Sequence, residues 1–135
     1  MNIVEMRRMR EHIVFSSFDP RAIKHLKEID RTVAVAVLFE KEYYGSKSPS
    51  EIIELLGADA FNCSKNELSK KWLINLKLNN IPVNVYTVND KKNMRRFLDM
   101  AVSGIFTNKP DILKRVVADI KQVPRKEIIN HGNFR

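Results

Sequence analysis

Short runs of β-branched and apolar residues alternate along this chain with stretches whose apolar positions recur at helical spacing, and little lies between them. Ile13 to Phe18 reads as a strand. Asp19-Pro20 then supplies a cap and a first-turn proline, predicting a helix through about Ile29. Val33 to Phe39 is the clearest strand, almost wholly apolar, as a parallel strand covered on both faces requires. A loop is expected over Tyr43-Tyr44-Gly45-Ser46. Beyond it Ser50 caps a short helix that carries Ile52, Ile53, Leu55 and Leu56 and ends at Gly57. Ala58 to Asn62 predicts a weak strand, and Ser69 to Asn79 a longer helix containing Trp72, Leu73, Leu76 and Leu78.

Pro82 stands at the start of the next strand, Val83 to Val88, where its missing N–H does least harm. Asn89-Asp90 caps a helix through Met100, a short strand begins at Gly104, and Pro110-Asp111 opens a last helix through about Ala118. One domain over residues 1–118 is expected, with residues 119–135 as a basic tail of weak periodicity. Five strands, each followed by a helix, predict an α/β fold with a parallel sheet and right-handed crossovers. The pattern leaves open a doubly wound sheet or part of a closed barrel. Only four glycines are present, and no Gly-x-Gly-x-x-Gly or P-loop follows a strand, which argues against nucleotide binding on an open sheet.

Composition narrows the setting without naming a reaction. With 135 residues and 44% hydrophobic content the chain can build one real core. The single cysteine, Cys63, cannot form an intrachain disulfide, and no run approaches the roughly 20 apolar residues of a membrane span, so a cytoplasmic location is expected. The net charge of +8 is uneven: Lys91 to Arg135 hold eleven Lys or Arg against four Asp or Glu. Clustered positive charge attracts phosphate in any form but selects none. Only Phe97, Phe106 and Phe134 accompany it, fewer aromatic residues than a nucleic-acid surface would use.

Three stretches then resemble the glycerophosphodiester phosphodiesterases, a family of TIM barrels related to phosphatidylinositol-specific phospholipases. They are Ser17-Phe18-Asp19, Val83-Asn84-Val85-Tyr86-Thr87-Val88-Asn89 with tyrosine where the family has tryptophan, and Ala101-Val102-Ser103-Gly104-Ile105-Phe106-Thr107-Asn108-Lys109-Pro110. The resemblance implies a partial (β/α) barrel, about the last five of eight units. It also implies a role in lipid metabolism, the metal-dependent hydrolysis of glycerophosphodiesters to glycerol 3-phosphate and an alcohol. For a complete member it implies magnesium or calcium, a His-Arg pair, a Glu-x-Asp, a His-Asp and a Glu-x-Lys, all on units before the matched region. The chain is therefore expected to be either a truncated gene product or one subunit of a split enzyme, to hold no catalytic residue, metal ligand or cofactor, and to be inactive alone. His12, His25 and His131 match none of these motifs.

Strand alternation selects the side chains that could still line a pocket. Asn84 and Tyr86 point together, opposite Val83 and Val85, and Ser16 and Phe18 point together by the same rule. The resemblance gives Phe18 and Tyr86 the substrate's glycerol side. Thr107 and Asn108 are candidates for phosphate near the last strand, with a helix cap before Pro110 as the competing role. Ser16, Phe18, Asn84, Tyr86, Thr107 and Asn108 are thus the candidate substrate-binding residues. Unpaired edge strands predict self-association or a separate chain supplying the first three units. The alternative function is a non-enzymatic module in which the basic last third holds anionic lipid or nucleic acid.

Overall fold

The structure is a computed structural model that describes residues 10–121. After a 3-10 turn at Arg10–His12, the chain runs through β1 (Val14–Ser17), α1 (Pro20–Ile29), β2 (Ala34–Leu38), α2 (Lys41–Tyr44), α3 (Pro49–Leu56) and β3 (Ala60–Ser64). It continues through α4 (Lys70–Leu78), β4 (Val83–Tyr86), α5 (Lys91–Asp99), β5 (Gly104–Ile105) and α6 (Pro110–Lys121). The five strands form one sheet in the order β1-β2-β3-β4-β5, and every pair is parallel. A doubly wound sheet reverses its strand order at a switch point. This one never does, so its right-handed crossovers all lie on the same side, as in an arc of a barrel.

That side holds the core. Val35 and Val37 from β2, Phe61 and Cys63 from β3, and Val83 and Val85 from β4 are buried together with Ile23 of α1, Ile52 and Leu56 of α3, Leu76 of α4, Met94 and Phe97 of α5 and Val116 of α6. An aromatic junction anchors its centre, where Trp72 packs edge-on against Phe39 at 4.8 Å and Phe61 at 5.5 Å between ring centroids. Burial also removes the Cys63 thiol from water and pushes its pKa up to about 12.

Local chemistry sets the helix ends. The Asp19 carboxylate accepts the Arg21 N–H at 2.9 Å to start α1, Ser69 accepts the Trp72 N–H at 3.1 Å to start α4, and Asp90 accepts the Asn93 N–H at 3.0 Å to start α5. Gly57, at φ 66°, ends α3 in the left-handed conformation that favours glycine.

Several boundaries differ from expectation. Ser48, not Ser50, caps α3 through a reciprocal capping box with Glu51. Ser50 instead ties α3 to α4: its N–H donates to Asn75 Oδ1 and its hydroxyl accepts from Asn75 Nδ2, each at 2.9 Å. The expected loop at Tyr43-Tyr44 lies partly within α2, because burial of Tyr44 against Phe39 holds one helical turn there. β3 starts two residues late because Asp59 is an anchor. Its carboxylate accepts from the Val35 N–H at 2.9 Å and pairs with Lys27 Nζ at 2.6 Å. Lys27 Nζ also donates to the carbonyls of Val33 at 2.8 Å and Arg31 at 3.3 Å. α6 runs to Lys121, past the expected end at Ala118, and the rest of the expected tail lies outside the described residues.

Truncating Phe61 to alanine should empty the middle of the aromatic junction. Urea denaturation of Phe61→Ala is expected to show a loss of about 3–5 kcal/mol, against less than about 0.5 kcal/mol for an exposed control such as Lys70→Ala.

Candidate functional site

The strand residues that do not face the helices line a concave cavity of about 620 Å³ on the other face of the sheet. Its wall is built in rows across the strands. Ser16, Ala36, Ala60 and Pro82 form one row, and Leu38, Asn62, Asn84 and Gly104 the next, towards the carboxyl ends. The first row is mostly small, which keeps the cavity open. Ser16 and Leu38 from these rows, together with Phe18, Tyr86, Thr87 and Phe106, line a rim pocket of about 300 Å³. This is the end of a barrel where loops and strand termini carry chemistry.

Asn62 is 3% exposed and stands among apolar neighbours, a costly position for an amide without a partner. Asn84 Nδ2 donates to Asn62 Oδ1 at 2.9 Å, which gives the Asn62 amide oxygen a partner on the neighbouring strand. Gly104 makes room for them. A Cβ on Gly104 would lie 2.5 Å from Asn84 Oδ1. At the rim, Tyr86 stands edge-on to Phe106 with ring centroids 6.5 Å apart. Burial, then the nearby Glu67, Cys63 and Glu40, pushes the Tyr86 phenol up to about 12, so it stays neutral and able to donate a hydrogen bond across the physiological range.

Four of the six candidate residues, Ser16, Phe18, Asn84 and Tyr86, therefore line the concave face or its rim. Thr107 and Asn108 line neither pocket. Thr107 Oγ1 donates to Asn89 Oδ1 at 3.2 Å, the Asn108 N–H donates to the same atom at 2.8 Å, and Thr107 Oγ1 accepts the Lys109 N–H at 2.9 Å. These contacts tie the loop before α6 to the loop before α5.

Sequence reasoning passed over Asn62, Leu38, Thr87 and Phe106. Continuing the alternation from Ala36 to Leu38 and from Gly104 to Phe106 identifies two of them. Asn62 was hidden by taking β3 to end there. His12 also lines the cavity but precedes β1, at the end away from the rim, and His25 is exposed on α1. His131 lies outside the described residues.

Chemically, the rim offers apolar and aromatic surface beside the hydroxyls of Ser16 and Thr87, the Tyr86 phenol and, deeper, two amides. Such a wall can bind and orient a polar molecule carrying hydrocarbon. Among the described residues no three His, Cys, Asp or Glu side chains are grouped to hold a metal ion.

A family model described as the glycerophosphoryl diester phosphodiesterase family matches residues 2–112. A glycerophosphodiester phosphodiesterase from Bacillus subtilis strain 168 is 23% identical over 108 residues, covering 77% of this chain and 36% of that protein. The crystal structure of a glycerophosphodiester phosphodiesterase from Parabacteroides distasonis superposes with a TM-score of 0.77 at 24% identity, covering 90% of this chain and 49% of the other. An Oleispira antarctica phosphodiesterase, solved with the product sn-glycerol-3-phosphate, gives a TM-score of 0.70 at 16% identity over 78% of this chain and 41% of its own. The chain thus spans half or less of the length of these relatives.

Two measurements test the geometry of this wall. Gly104→Ala should displace the Asn84 amide and cost about 1–3 kcal/mol in urea denaturation, and that cost should shrink in an Asn84→Ala background, since residues in contact couple. The difference in ultraviolet pH titration between the wild type and Tyr86→Phe should show a phenol titrating near 12 rather than at the ordinary 10.0. Since the folded value is the higher one, this phenol's contribution to stability is intact below pH 10 and is lost as pH rises through about 12.

Proposed function

This chain belongs to the glycerophosphoryl diester phosphodiesterase family, with the match covering residues 2–112, and on that premise we propose that its concave face and rim form one wall of a glycerophosphodiester pocket. The observation that carries the reading is the rim itself, where Ser16, Phe18, Leu38, Tyr86, Thr87 and Phe106 line one pocket at the carboxyl end of a parallel arc. A glycerophosphodiester has a short carbon skeleton with hydroxyls next to a phosphate. The aromatic faces of Phe18 and Phe106 suit the carbon skeleton, while Ser16 and the neutral Tyr86 phenol suit the hydroxyls.

Hydrolysis needs groups that this wall does not offer. General acid–base catalysis contributes about 10²–10⁴-fold and calls for a group that exchanges protons near neutrality. The Tyr86 phenol, at about 12, is a poor one. The family resemblance implies magnesium or calcium, but the described residues contain no group of three or more His, Cys, Asp or Glu side chains to hold either. The wall binds and orients. Proton transfer and metal binding belong to further parallel βα units, whether continuous with this chain or on another polypeptide.

Three such units would also cover the open face. β1 and β5 are the outer strands of the described sheet, and Val14, Phe18 and Phe106 present exposed apolar surface on its concave side. No described helix is long and apolar enough to cross a membrane. A cytoplasmic place in lipid metabolism belongs to the same proposal, supported by the free thiol of Cys63.

Glycerol 3-phosphate added to the full chain should shift the NMR resonances of Phe18, Tyr86 and Phe106, and Tyr86→Ala should abolish the shifts. Glycerophosphocholine with magnesium or calcium should not be hydrolysed above a no-protein blank. Absence of any shift would overturn the binding assignment. Turnover that disappears in Tyr86→Ala would overturn the assignment of catalysis to other units.

A further inference from the structure

Helices α5 and α6 carry an exposed excess of cations. On α5, Met94 and Phe97 are buried against the sheet, leaving Lys91, Lys92, Arg95 and Arg96 exposed. On α6, Val116 is buried and Lys114, Arg115 and Lys121 are exposed. The helices pack together, and Arg95 reaches Asp119 at 3.7 Å, which joins the two exposed faces. Against these seven cations the two helices carry three carboxylates, Asp99, Asp111 and Asp119. The excess is positive even after every possible pairing.

Neither the concave cavity nor the rim pocket includes a residue of α5 or α6. The basic face belongs to the outer helical layer, and a partner bound there leaves the concave wall free.

Two features choose among polyanions. No exposed large apolar side chain lies on α5 or α6, and Phe97, their aromatic residue, is buried with the Arg96 guanidinium 4.6 Å from its ring centroid. Nothing is offered for stacking unpaired bases. Two helices side by side, each roughly 10 Å across, are together too broad for the roughly 12 Å major groove of a duplex. A broad array of cations fits a broad array of phosphates.

We propose that the outward face of α5 and α6 docks on an anionic phospholipid surface, by charge and without insertion. Such binding is confined to about one Debye length and weakens as salt rises. It is independent of whether the concave wall takes a glycerophosphodiester.

The test is sedimentation of the full chain with phosphatidylcholine vesicles prepared with and without phosphatidylserine. Binding is expected only with phosphatidylserine and should fall with added salt. The variant Lys91→Gln/Lys92→Gln/Lys114→Gln/Arg115→Gln should lose about two to three orders of magnitude in partitioning, at about five-fold per cation removed. The variant Lys24→Gln/Lys41→Gln/Lys47→Gln/Lys70→Gln, which removes equal charge from exposed sites elsewhere, should keep its binding. Equal loss in both variants would overturn the proposal in favour of net charge alone. Absence of binding to phosphatidylserine vesicles would overturn it outright. Displacement of the protein from vesicles by a DNA duplex at equal phosphate concentration would reassign the surface to nucleic acid.

Discussion

Parallel strands cannot be joined by a tight turn, so each connection must travel back across the sheet. In this chain each crossover carries helix and each strand pairs with its neighbour in sequence, which places the helices on one face. The division of labour along each strand follows. Val35, Val37, Phe61, Cys63, Val83 and Val85 become core because helices cover them. Ser16, Ala36, Ala60, Asn62, Asn84 and Gly104 alternate with that set and become wall. One residue of slippage in any strand would exchange the two sets, so core packing is also what aims the site.

The wall has its own constraint. Amides within a sheet are tolerated when they have partners, and Asn84 supplies one to the Asn62 amide oxygen. Their mutual bond needs a neighbouring strand without a side chain at the same level, and Gly104 occupies that place. Three strands are therefore fitted to one polar contact.

The strands and most caps were legible because their signals are local. Val33 to Phe39 is apolar enough to announce a covered strand, and Asp19-Pro20 carries its cap and first turn in adjacent residues. Ser16, Phe18, Asn84 and Tyr86 could be placed because alternation needs only the strand. One miss was local: Ser48, followed by Pro49 and Glu51, carries a capping-box signature that Ser50 lacks. Others depended on contacts distant in sequence. Asp59 reads as strand until Lys27 and the Val35 N–H take its carboxylate. Thr107 and Asn108 are joined to Asn89, through the Thr107 hydroxyl and the Asn108 backbone N–H. Polar side chains are poor guides alone because each has several possible partners, and the fold decides which arrives.

Lys27 carries that lesson into the reading of charge. An ammonium has three N–H bonds to give, and Lys27 directs its hydrogen bonds to the Asp59 carboxylate and the carbonyls of Arg31 and Val33. It counts fully in the net charge of +8, yet it has no donor left for a visitor. Lys24 and Arg31 line the same crevice, about 580 Å³ in volume, and are exposed. Formal charge is thus an inventory, whereas availability is a matter of vacancy. Two lysines three residues apart on one helix belong to different economies: Lys27 is a structural clamp, and Lys24 is open to exchange with the surroundings.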